Sequence, residues 1–565
     1  MNKETLMKIE QWKKANLASD LKEELNRLSE EELEDAFYTD LAFGTGGLRG
    51  VMGVGTNRMN IYIINKSTFG FGTYLKKKYE GKRELKVTIS HDCRHNSRKF
   101  AESAANVLAT MGFKVFLFKD LRSTPELSFT TRYTKSVGGI MITASHNPPK
   151  YNGYKVYDEL GCQLVPDLAD QVIAEINKID DVFHIPTSNF EQLVKEGKIE
   201  IIGDEIDNEY LKNVLTVKVQ DVKKDNLKIV FTPLHGTASV KLVDLLKKEG
   251  YNVIPVKEQM IPDGNFTTLK SPNPEDARAF ELAIEYGKKN NADILIATDP
   301  DADRMGIAIN HNGEYILLTG NQTGAILLDY LAKYKKHGPK ANVYNTIVTS
   351  NFAKAICQKY GLNLVQTLTG FKYIGEQASL IENTDEEFFF GFEESYGYVI
   401  KDFVRDKDSY QATLLLSEVA CFYKEQGKDL VDVLNDLFEE FGYYVEGILN
   451  IYLEGKSGSE RIERIMETCQ KNPIKEICGR KIVRVEDYQD SVAYENGKLV
   501  EKLTLPQSFV LKYIFEDGGW FVLRPSGTEP KLKIYISVVD KKQEAAVNFT
   551  EDLKKALSKL VEDIK

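Results

Sequence analysis

The chain contains 565 residues, of which 42% are hydrophobic and 28% are charged. At roughly 150 residues per domain, this length predicts about four domains. The composition is sufficient for an ordinary core in each domain and excludes a disordered or fibrous chain. The 74 basic and 84 acidic side chains leave a net charge of −10, which argues against nucleic acid or an anionic membrane as a partner. An anionic ligand must therefore be held by local clusters of Arg, Lys and backbone N–H groups.

The cysteines and the start of the chain indicate the compartment. No two of the six cysteines form a C-x-x-C pair, so neither a disulfide framework nor a zinc knuckle is predicted. The first residues lead into a charged amphipathic stretch, and no apolar run approaches the length of a membrane span. We therefore expect a soluble cytoplasmic protein without a membrane partner.

The first part of the chain has leucines at helical spacing. Between about residue 5 and residue 37, Leu21, Leu25 and Leu28 recur among many Glu and Lys residues, which predicts an N-terminal helical arm. Short apolar runs then alternate with Gly- and Pro-rich loops and helical patterns. These runs are 85–90, 139–143, 227–231, 293–297, 343–348 and 387–390. Such alternation predicts mostly parallel sheets covered on both faces.

The last part of the chain has a different pattern. Strand-like runs at 509–514, 519–523 and 532–538 precede a helix whose apolar face contains Ala546, Phe549, Leu553, Leu557 and Leu560. Strands followed by a helix predict a smaller α+β domain with antiparallel pairing. The predicted domains are 1–205, 206–320, 321–440 and 441–565.

Ligands of parallel sheets collect beyond the carboxyl ends of strands, so the loops there are the candidate sites. Residues 44–50 form a glycine-rich loop that is not a G-x-G-x-x-G fingerprint, because Arg49 occupies the place of the third glycine. This loop does not support a dinucleotide fold. Presentation of Arg49 to an anion fits it better.

A serine loop, residues 143–155, follows the second run. Its prolines restrict the backbone and would hold Ser145 in one orientation. With His146 beside it and Lys155 facing it, the serine has the ingredients of a nucleophile or phosphoryl carrier. For this loop alone, a Pro-Asn-Gly turn whose serine only caps a backbone group is an equally good interpretation.

An acidic loop, residues 298–304, directly follows the run at 293–297. Asp299, Asp301 and Asp303 alternate along it, and such carboxylates repel one another unless a divalent cation neutralises them. Oxygen ligands favour Mg²⁺ or another hard ion over zinc. The Gly and Glu that an EF-hand loop requires at its sixth and twelfth positions are absent. A solvated acidic turn is disfavoured because the loop directly follows a strand of the buried type. The loop therefore predicts a metal site.

A possible sugar site begins at residues 391–397. Glu393 and Ser395 lie there at a strand end, which suits the hydroxyl groups of a sugar. Lys407, in the charged run 405–408, is a candidate proton donor or charge partner. In isolation, the charged run is more simply interpreted as a solvated turn.

A possible phosphate site lies between two runs of the last domain. Arg524, Ser526 and Thr528 supply a guanidinium and two hydroxyls around a turn centred on Gly527, which together make a phosphate cradle. The Walker spacing is absent. The alternative is a tight β-connection with incidental polarity.

Taken together, these loops resemble the α-D-phosphohexomutase superfamily, the phosphoglucomutases and phosphomannomutases. The Thr-Ala-Ser-His-Asn-Pro, D-x-D-x-D-R, G-x-E-x-S and R-P-S-G-T motifs occur between Gly44 and Lys531 in the family's order. Three features look like the branch that holds bacterial phosphoglucomutases and eukaryotic phosphopentomutase-type relatives. They are Pro300 in the acidic loop, the Asn-Pro-Pro-Lys-Tyr-Asn-Gly-Tyr-Lys stretch and the glycine-rich loop at 44–50. The resemblance implies three similar α/β domains with mixed, mostly parallel sheets and a smaller C-terminal α+β domain around a central cleft.

The resemblance also implies residue roles. The implied catalytic residues are Ser145, which carries the phosphoryl group, His146, Lys155, Lys407 and Arg49. The implied substrate contacts are Arg304, Thr369, Gly370, Lys372, Glu393, Ser395, Arg524, Ser526, Gly527 and Thr528. The implied Mg²⁺ ligands are Asp299, Asp301, Asp303 and Ser145.

The leading hypothesis is an enzyme that interconverts α-D-glucose 1-phosphate and glucose 6-phosphate, with Mg²⁺ as cofactor and glucose 1,6-bisphosphate as intermediate and activator. The alternatives are the same mechanism on a pentose or mannose phosphate, a metal-dependent sugar-phosphate phosphatase, and a non-catalytic sugar-phosphate sensor. The expected partner is a small sugar phosphate, and the expected assembly is a monomer or dimer.

Overall fold

The computed structural model of the chain describes residues 1–44, 46–453, 455–526 and 531–565. The α-helices, in chain order, are α1 (Lys3–Lys14), α2 (Ser19–Leu25), α3 (Glu30–Phe37), α4 (Ile61–Lys78), α5 (Ser97–Thr110), α6 (Thr124–Tyr133), α7 (Pro166–Ile176), α8 (Phe190–Lys195), α9 (Asp204–Val214), α10 (Leu242–Lys248), α11 (Glu281–Asn290), α12 (Gly320–Tyr334), α13 (Phe352–Tyr360), α14 (Phe371–Ile381), α15 (Ser409–Lys424), α16 (Leu430–Phe441), α17 (Gly455–Lys471) and α18 (Gln543–Asp563).

The β-strands, in chain order, are β1 (Leu48–Val51), β2 (Lys86–His91), β3 (Lys114–Phe118), β4 (Gly138–Ile142), β5 (Tyr151–Tyr157), β6 (Ile199–Ile202), β7 (Lys228–Thr232), β8 (Asn252–Pro255), β9 (Ile294–Thr298), β10 (Met305–His311), β11 (Glu314–Leu318), β12 (Ala341–Thr346), β13 (Asn363–Thr367), β14 (Glu387–Glu393), β15 (Gly397–Val399), β16 (Tyr443–Tyr452), β17 (Glu476–Ile477), β18 (Arg480–Asp487), β19 (Val492–Glu495), β20 (Lys498–Lys502), β21 (Leu511–Phe515), β22 (Trp520–Pro525) and β23 (Lys531–Asp540).

The chain forms two compact units. The first unit comprises Met1–Gly320 and Phe371–Asp429, and the second comprises Asn321–Gly370 and Leu430–Lys565. Two mixed sheets and a β-hairpin belong to the first unit. A parallel strand pair and a large antiparallel sheet belong to the second.

The N-terminal arm is helical, as the leucine spacing predicts, but it is divided into α1, α2 and α3. Helix α1 stops at Ala15, which is extended, and α3 begins with a capping box formed by Ser29 and Glu32. The apolar faces of the three helices pack around Trp12, which is buried. The arm is therefore a folded part of the first unit.

The first sheet has the strand order β1-β5-β4-β2-β3-β6. Strands β4, β2, β3 and β6 are parallel, and β5 and β1 are antiparallel to their neighbours. Ile140 and Ile142 of β4 join the core beneath α4 and α5, whereas Met141 packs with Leu127 of α6 on the opposite face. Helices on both faces explain why β4 is apolar along its whole length.

Residues 151–155, assigned above to the serine loop, are instead part of strand β5. This strand pairs with β4 in antiparallel register, with Lys155 opposite Met141. Tyr154 and Tyr157 are fully buried, so packing favours a strand over a solvated loop. The consequence is that Lys155 returns to the strand that leads to Ser145.

The second sheet has the order β11-β10-β9-β7-β8. Strands β8, β7 and β9 are parallel, and β10 and β11 are antiparallel. The buried strand β9 ends at Thr298, and β10 begins at Met305. The acidic loop is therefore a tight connection at the carboxyl end of a parallel strand, where ligands collect in such sheets.

Strands β14 and β15 form a hairpin in the first unit, with Glu393 opposite Gly397. The run predicted at 387–390 extends to Glu393, so Glu393 belongs to a strand and not to the following loop. Helix α15 begins after Asp408, whose carboxylate accepts from two backbone N–H groups of the first turn. This cap fixes the end of the charged run at 405–408.

The second unit contains the parallel pair β12 and β13. Its larger sheet has the order β16-β23-β22-β21-β18-β19-β20, with β17 beside β18, and its neighbouring strands pair antiparallel. Apolar residues of α17 and α18 share a core with β21, β22 and β23. The antiparallel pairing expected for the last strands is therefore present.

Two further findings concern disulfide bonds and membrane-spanning helices among the described residues. Each of the six cysteines is a free thiol in the described chain. None of the helices among the described residues has both the length and the apolarity that a bilayer span requires.

Candidate active site

Ser145 follows the carboxyl end of β4, and its backbone is in the left-handed region with φ 48°. This conformation costs a non-glycine residue about 1–2 kcal/mol, so other contacts must impose it. The Ser145 N–H donates to Thr143 Oγ1 (2.8 Å). Its hydroxyl donates to Asp299 Oδ2 (2.7 Å) and lies 3.1 Å from His146 Nδ1. The left-handed turn thus presents the serine hydroxyl to the acidic loop.

The acidic loop closes around its own first carboxylate. Asp299 Oδ1 accepts hydrogen bonds from the N–H groups of Asp303 and Arg304, each at 3.0 Å. Ala302 has a left-handed backbone (φ 53°), and its carbonyl accepts from Ser409 Oγ at 2.6 Å. These bonds hold the loop in one shape and leave the second oxygen of Asp299 for the serine.

Three buried carboxylates meet in this loop. One oxygen from each of Asp299, Asp301 and Asp303 lies within 4.8 Å of the others. The Oδ1 atoms of Asp301 and Asp303 are buried and have no hydrogen-bond partner within the described chain, a costly state unless they coordinate an ion. Burial and the two neighbouring carboxylates raise the pKa of Asp299 well above its ordinary value. A divalent cation would relieve this repulsion, so the residues fit a metal ion with oxygen ligands.

Two lysines flank the carboxylates, Lys155 buried and Lys407 largely buried. Lys155 Nζ donates to Asp301 Oδ2 (2.9 Å), and Lys407 Nζ lies 3.1 Å from Asp303 Oδ2. Burial alone would lower the pKa of each lysine, but the carboxylates outweigh it and raise both pKa values. Burial likewise works to raise the pKa of Asp301, yet the Lys155 ammonium and the hydrogen bonds to this carboxylate together outweigh it and keep that pKa low. Both lysines are therefore cations at neutral pH.

Lys407 is held in place by its other neighbours. Asp406 accepts hydrogen bonds from Lys407 Nζ (3.1 Å) and from the Tyr157 hydroxyl (2.9 Å). The lysine stem crosses directly over Gly397, where an added Cβ would lie 2.1 Å from Lys407 Cδ. Glycine is therefore required at that position for this path of the lysine.

Two guanidinium groups also lie close enough to His146 to affect its charge. Arg304 forms an ion pair with Glu275, and Arg49 Nη1 donates to Asn147 Oδ1 (2.9 Å). Burial, and then the charges of Arg304 and Arg49, lower the pKa of His146 well below its ordinary value. The imidazole is therefore neutral at pH 7, and the guanidinium groups favour an anion such as phosphate nearby.

Glu393 belongs to the same charged neighbourhood. Its carboxylate is buried, and it contributes to the raised pKa values of Lys407 and Arg304. Ser395 Oγ lies 3.5 Å from Glu393 Oε2. The hairpin therefore places both predicted sugar contacts beside the lysine and arginine of the cluster.

The predicted orientation-reading residues fall on both sides of a unit boundary. Lys372 lies in the first turn of α14 in the first unit, and its carbonyl accepts from Cys162 Sγ at 3.2 Å. Thr369 and Gly370 end a segment of the second unit, and Gly370 has φ 120°. Their roles stay predictions.

Arg524 and Ser526 of the predicted phosphate cradle lie at the end of β22 and directly after it, in the second unit. Arg524 is half-buried in β22, and its Nη1 lies 3.4 Å from the Tyr535 hydroxyl. The backbone N–H of Ser526 donates to a carbonyl of β23 at 2.7 Å. Gly527 and Thr528 lie outside the described residues.

The structure also brings in polar residues to which the sequence interpretation assigned no role. Thr124, at the start of α6, donates to Asp301 through both its N–H (2.9 Å) and its hydroxyl (2.8 Å). Asp92 and Arg94 follow β2 and contact the serine loop, and Thr143 within that loop accepts from the Ser145 N–H. A signal for Asp92 and Arg94 was present, because both directly follow an apolar run at the same sheet edge.

Comparison with known proteins identifies one family over most of the chain. Models of the phosphoglucomutase/phosphomannomutase family match as alpha/beta/alpha domain I at residues 40–183, domain II at 208–313, domain III at 319–441 and the C-terminal domain at 479–550. These matches confirm the predicted fold class of three α/β domains followed by a smaller C-terminal domain.

Individual relatives agree with the family models. A protein of Staphylococcus epidermidis strain ATCC 35984 named phosphoglucomutase is 38% identical over 523 residues, which cover 92% of this chain and 94% of the relative. A phosphoglucomutase of Staphylococcus aureus strain MRSA252 is 37% identical over 535 residues, covering 94% and 96%. Among solved structures, the open form of the Paramecium phosphoglucomutase parafusin is similar in fold, with a TM-score of 0.67 at 19% identity over 93% of this chain and 96% of that one.

Proposed function

The chain belongs to the phosphoglucomutase/phosphomannomutase family, and from this premise we propose that it interconverts α-D-glucose 1-phosphate and glucose 6-phosphate. The protein is accordingly an enzyme of the phosphohexomutase class. The observation that carries the proposed chemistry is the 2.7 Å contact between Ser145 Oγ and Asp299 Oδ2 inside a buried acidic cluster. A nucleophilic hydroxyl beside a cation site and two ammonium groups is suited to phosphoryl transfer.

Ser145 is the proposed carrier of the phosphoryl group. The C1 and C6 oxygens lie at opposite ends of a hexose, so one fixed donor serves one of them at a time. Phosphoserine donates to the free hydroxyl as the serine P–O bond breaks and a sugar P–O bond forms. The resulting glucose 1,6-bisphosphate reorients and returns its other phosphate to Ser145. In the first transfer the sugar hydroxyl loses a proton and the released Ser145 oxygen gains one. In the return step the neutral imidazole of His146, 3.1 Å from Ser145 Oγ, is suited to take the proton of the Ser145 hydroxyl as the phosphate bonds to that oxygen.

The carboxylates and lysines have separate proposed tasks. Asp299, Asp301, Asp303 and Ser145 would hold Mg²⁺, which supplies neutralisation of the phosphoryl oxygens when it is bound. The Lys155 and Lys407 ammonium groups are fixed by the carboxylates before substrate arrives. Fixed positive groups stabilise developing negative charge without reorganisation during the reaction.

The remaining predicted residues would bind the two ends of the substrate. Glu393 is suited to accept hydrogen bonds from sugar hydroxyls, and Ser395 to donate one to them. Arg304 and Arg49 are suited to bind the phosphoryl group. Thr369, Gly370 and Lys372 are proposed to read sugar orientation. Arg524, Ser526, Gly527 and Thr528 are proposed to bind the phosphate that is not transferred, which is supported by their resemblance to the family motif.

A substrate panel tests the proposed function. Purified enzyme with Mg²⁺ is assayed on glucose 1-phosphate, mannose 1-phosphate and ribose 1-phosphate, with and without glucose 1,6-bisphosphate. We expect kcat/KM to be at least about tenfold higher for glucose 1-phosphate, and the bisphosphate to raise its turnover. A preference for ribose or mannose 1-phosphate would overturn the assignment of the sugar. Release of free phosphate in step with substrate loss would identify a phosphatase instead.

The path of Lys407 over Gly397 gives a second prediction. In Gly397→Ala, the new methyl group occupies the position of the lysine stem, so the ammonium moves away from Asp303. We expect kcat to fall about 10- to 100-fold, because displacements of about 1 Å have such effects in active sites. Gly338→Ala is the control, since a Cβ there meets none of the described atoms within 4 Å. Wild-type kcat in Gly397→Ala would show that the position of Lys407 does not matter.

A further inference from the structure

A buried arginine fixes the backbone of the serine loop. Arg94 follows strand β2 and is 3% exposed. Its guanidinium donates to four backbone carbonyls, those of Pro148 (2.9 Å), Tyr151 (3.1 Å), Ser145 and Asn147. These carbonyls extend from the serine itself to the first residue of β5. One planar group therefore holds the backbone between Ser145 and Tyr151 at four points.

Asp92 and Thr143 add further contacts to the serine loop. We call these two residues and Arg94 the serine-loop frame. The Asp92 carboxylate lies 3.3 Å from Arg94 Nε, and both side chains are fully buried. The same carboxylate accepts from Thr143 Oγ1 at 2.7 Å, and Thr143 Oγ1 in turn accepts from the Ser145 N–H at 2.8 Å. Asp92 thus acts on the serine backbone through two routes, one to its carbonyl and one to its N–H.

The serine-loop frame restricts the backbone conformation of the loop more than it stabilises the fold. A buried ion pair usually contributes little more stability than apolar residues of the same size, whereas a guanidinium offers donors in a fixed planar fork. The ring of Phe266 lies 5.0 Å from the guanidinium carbon of Arg94 and restricts the orientation of that plane. The left-handed backbone of Ser145 persists only where its surroundings impose it, and these contacts impose it.

We propose that Arg94 and Thr143 are positioning residues that align the phosphoryl group on Ser145 with the sugar hydroxyl. The inference rests on the proposed function, because it assumes that Ser145 carries phosphate. Transfer to the sugar requires donor and acceptor in one alignment, whereas a water molecule can attack a displaced phosphoserine from several directions. Loss of the serine-loop frame therefore slows transfer to the sugar more than transfer to water.

The test compares Arg94→Met with a matched control, Arg98→Met. Arg98 lies in the adjacent helix α5 and also donates to two backbone carbonyls, those of Phe118 (2.7 Å) and Lys119 (3.1 Å), which are outside the serine loop. Each full-length variant is given glucose 1-phosphate and ³²P-labelled glucose 1,6-bisphosphate with Mg²⁺. The measured quantities are kcat per folded enzyme and the ratio of free phosphate released to sugar phosphate isomerised. This ratio does not depend on the folded fraction, so a purely structural defect leaves it unchanged.

We expect Arg94→Met to lower kcat about 100-fold and to raise the hydrolysis ratio at least about tenfold. Arg98→Met is expected to stay within about twofold of wild type in both quantities. If Arg94→Met keeps the wild-type ratio, the arginine is structural and the proposal fails.

A second pair covers the case in which Arg94→Met does not fold. Thr143→Val keeps the shape of the side chain but removes both hydrogen bonds, whereas Thr143→Ser keeps them. Thr143→Val is expected to raise the hydrolysis ratio several-fold, and Thr143→Ser to resemble wild type. Equal ratios in the two variants would also reject the proposal.

Labelling of the wild-type enzyme separates this inference from the proposed function. Wild-type protein quenched with acid should carry ³²P on the peptide that contains Ser145. Without that label, the phosphoserine mechanism and the positioning role both fail. With the label present and the ratios unchanged in the variants, only the positioning role fails.

Discussion

Replacing Ser145 with alanine is expected to lower turnover of glucose 1-phosphate by roughly 10⁴-fold or more, since loss of a nucleophile removes the covalent route entirely. The hydroxyl is the atom that contacts both Asp299 Oδ2 and His146 Nδ1. Without it, no phosphoryl group can be held between the two half-reactions. Steady-state assays with saturating glucose 1,6-bisphosphate measure the loss, and mass spectrometry of the serine-loop peptide measures the phosphate.

Ser103→Ala is the control for this experiment. Its hydroxyl is partly buried and donates to Asn65 Oδ1 at 2.6 Å in the same unit, away from the acidic loop. We expect it to keep wild-type turnover and the phosphopeptide that contains Ser145. Full activity in Ser145→Ala would remove the basis of the mechanism, whatever the fold of the protein.

Loss of one carboxylate from the acidic loop is expected to abolish metal binding. Asp303→Asn keeps the size of the side chain but removes one of the three negative charges that meet within 4.8 Å. In wild-type protein, Mg²⁺ at 100 times its Kd should stabilise the fold by about 2.7 kcal/mol, which raises Tm. In Asp303→Asn this rise should disappear, and kcat should fall roughly 10³-fold because the charge on the phosphoryl group is no longer neutralised.

Asp293→Asn is the matched control, because Asp293 immediately precedes the same strand β9 at its opposite end. Its carboxylate accepts from the N–H of Lys228 and pairs with Lys424, far along the strand from the acidic loop. The control should retain the Mg²⁺-dependent rise in Tm. If Asp303→Asn also retains the full rise, the cation binds elsewhere and the acidic loop is not its site. Thermal unfolding reads this out without reference to activity.

Much of the fold could be predicted because apolar runs with polar ends are local features. The runs before Ser145 and Asp299 became β4 and β9, and both loops lie at carboxyl strand ends as the sheet rule requires. Strand β5 was not predicted, because its pattern is ambiguous until Tyr154 and Tyr157 are seen to be buried. Without this strand, the sequence does not explain why Lys155 lies beside the strand that precedes Ser145.

The position of Asp92 and Arg94 behind an apolar run is visible in the sequence, but the contacts that they make are not. Nothing in the spacing of Asp92 and Arg94 shows that they contact a loop more than fifty residues later, with Arg94 and Ser145 separated by 51 positions. The left-handed backbone of Ser145 is likewise invisible in the sequence, since serine seldom adopts it. Both features arise from strands that are neighbours in the sheet but distant along the chain.

The sequence by itself determined which chemical groups are available, in what order, and on which strand ends, because these depend on residue type and on short-range periodicity. Only the tertiary structure decided that Ser145 and Asp299 meet, although 154 positions separate them, and that two lysines are held as cations between the carboxylates. Such contacts come from the packing of two sheets in one unit. Packing energy depends on complementary shapes across the fold, which local spacing does not encode.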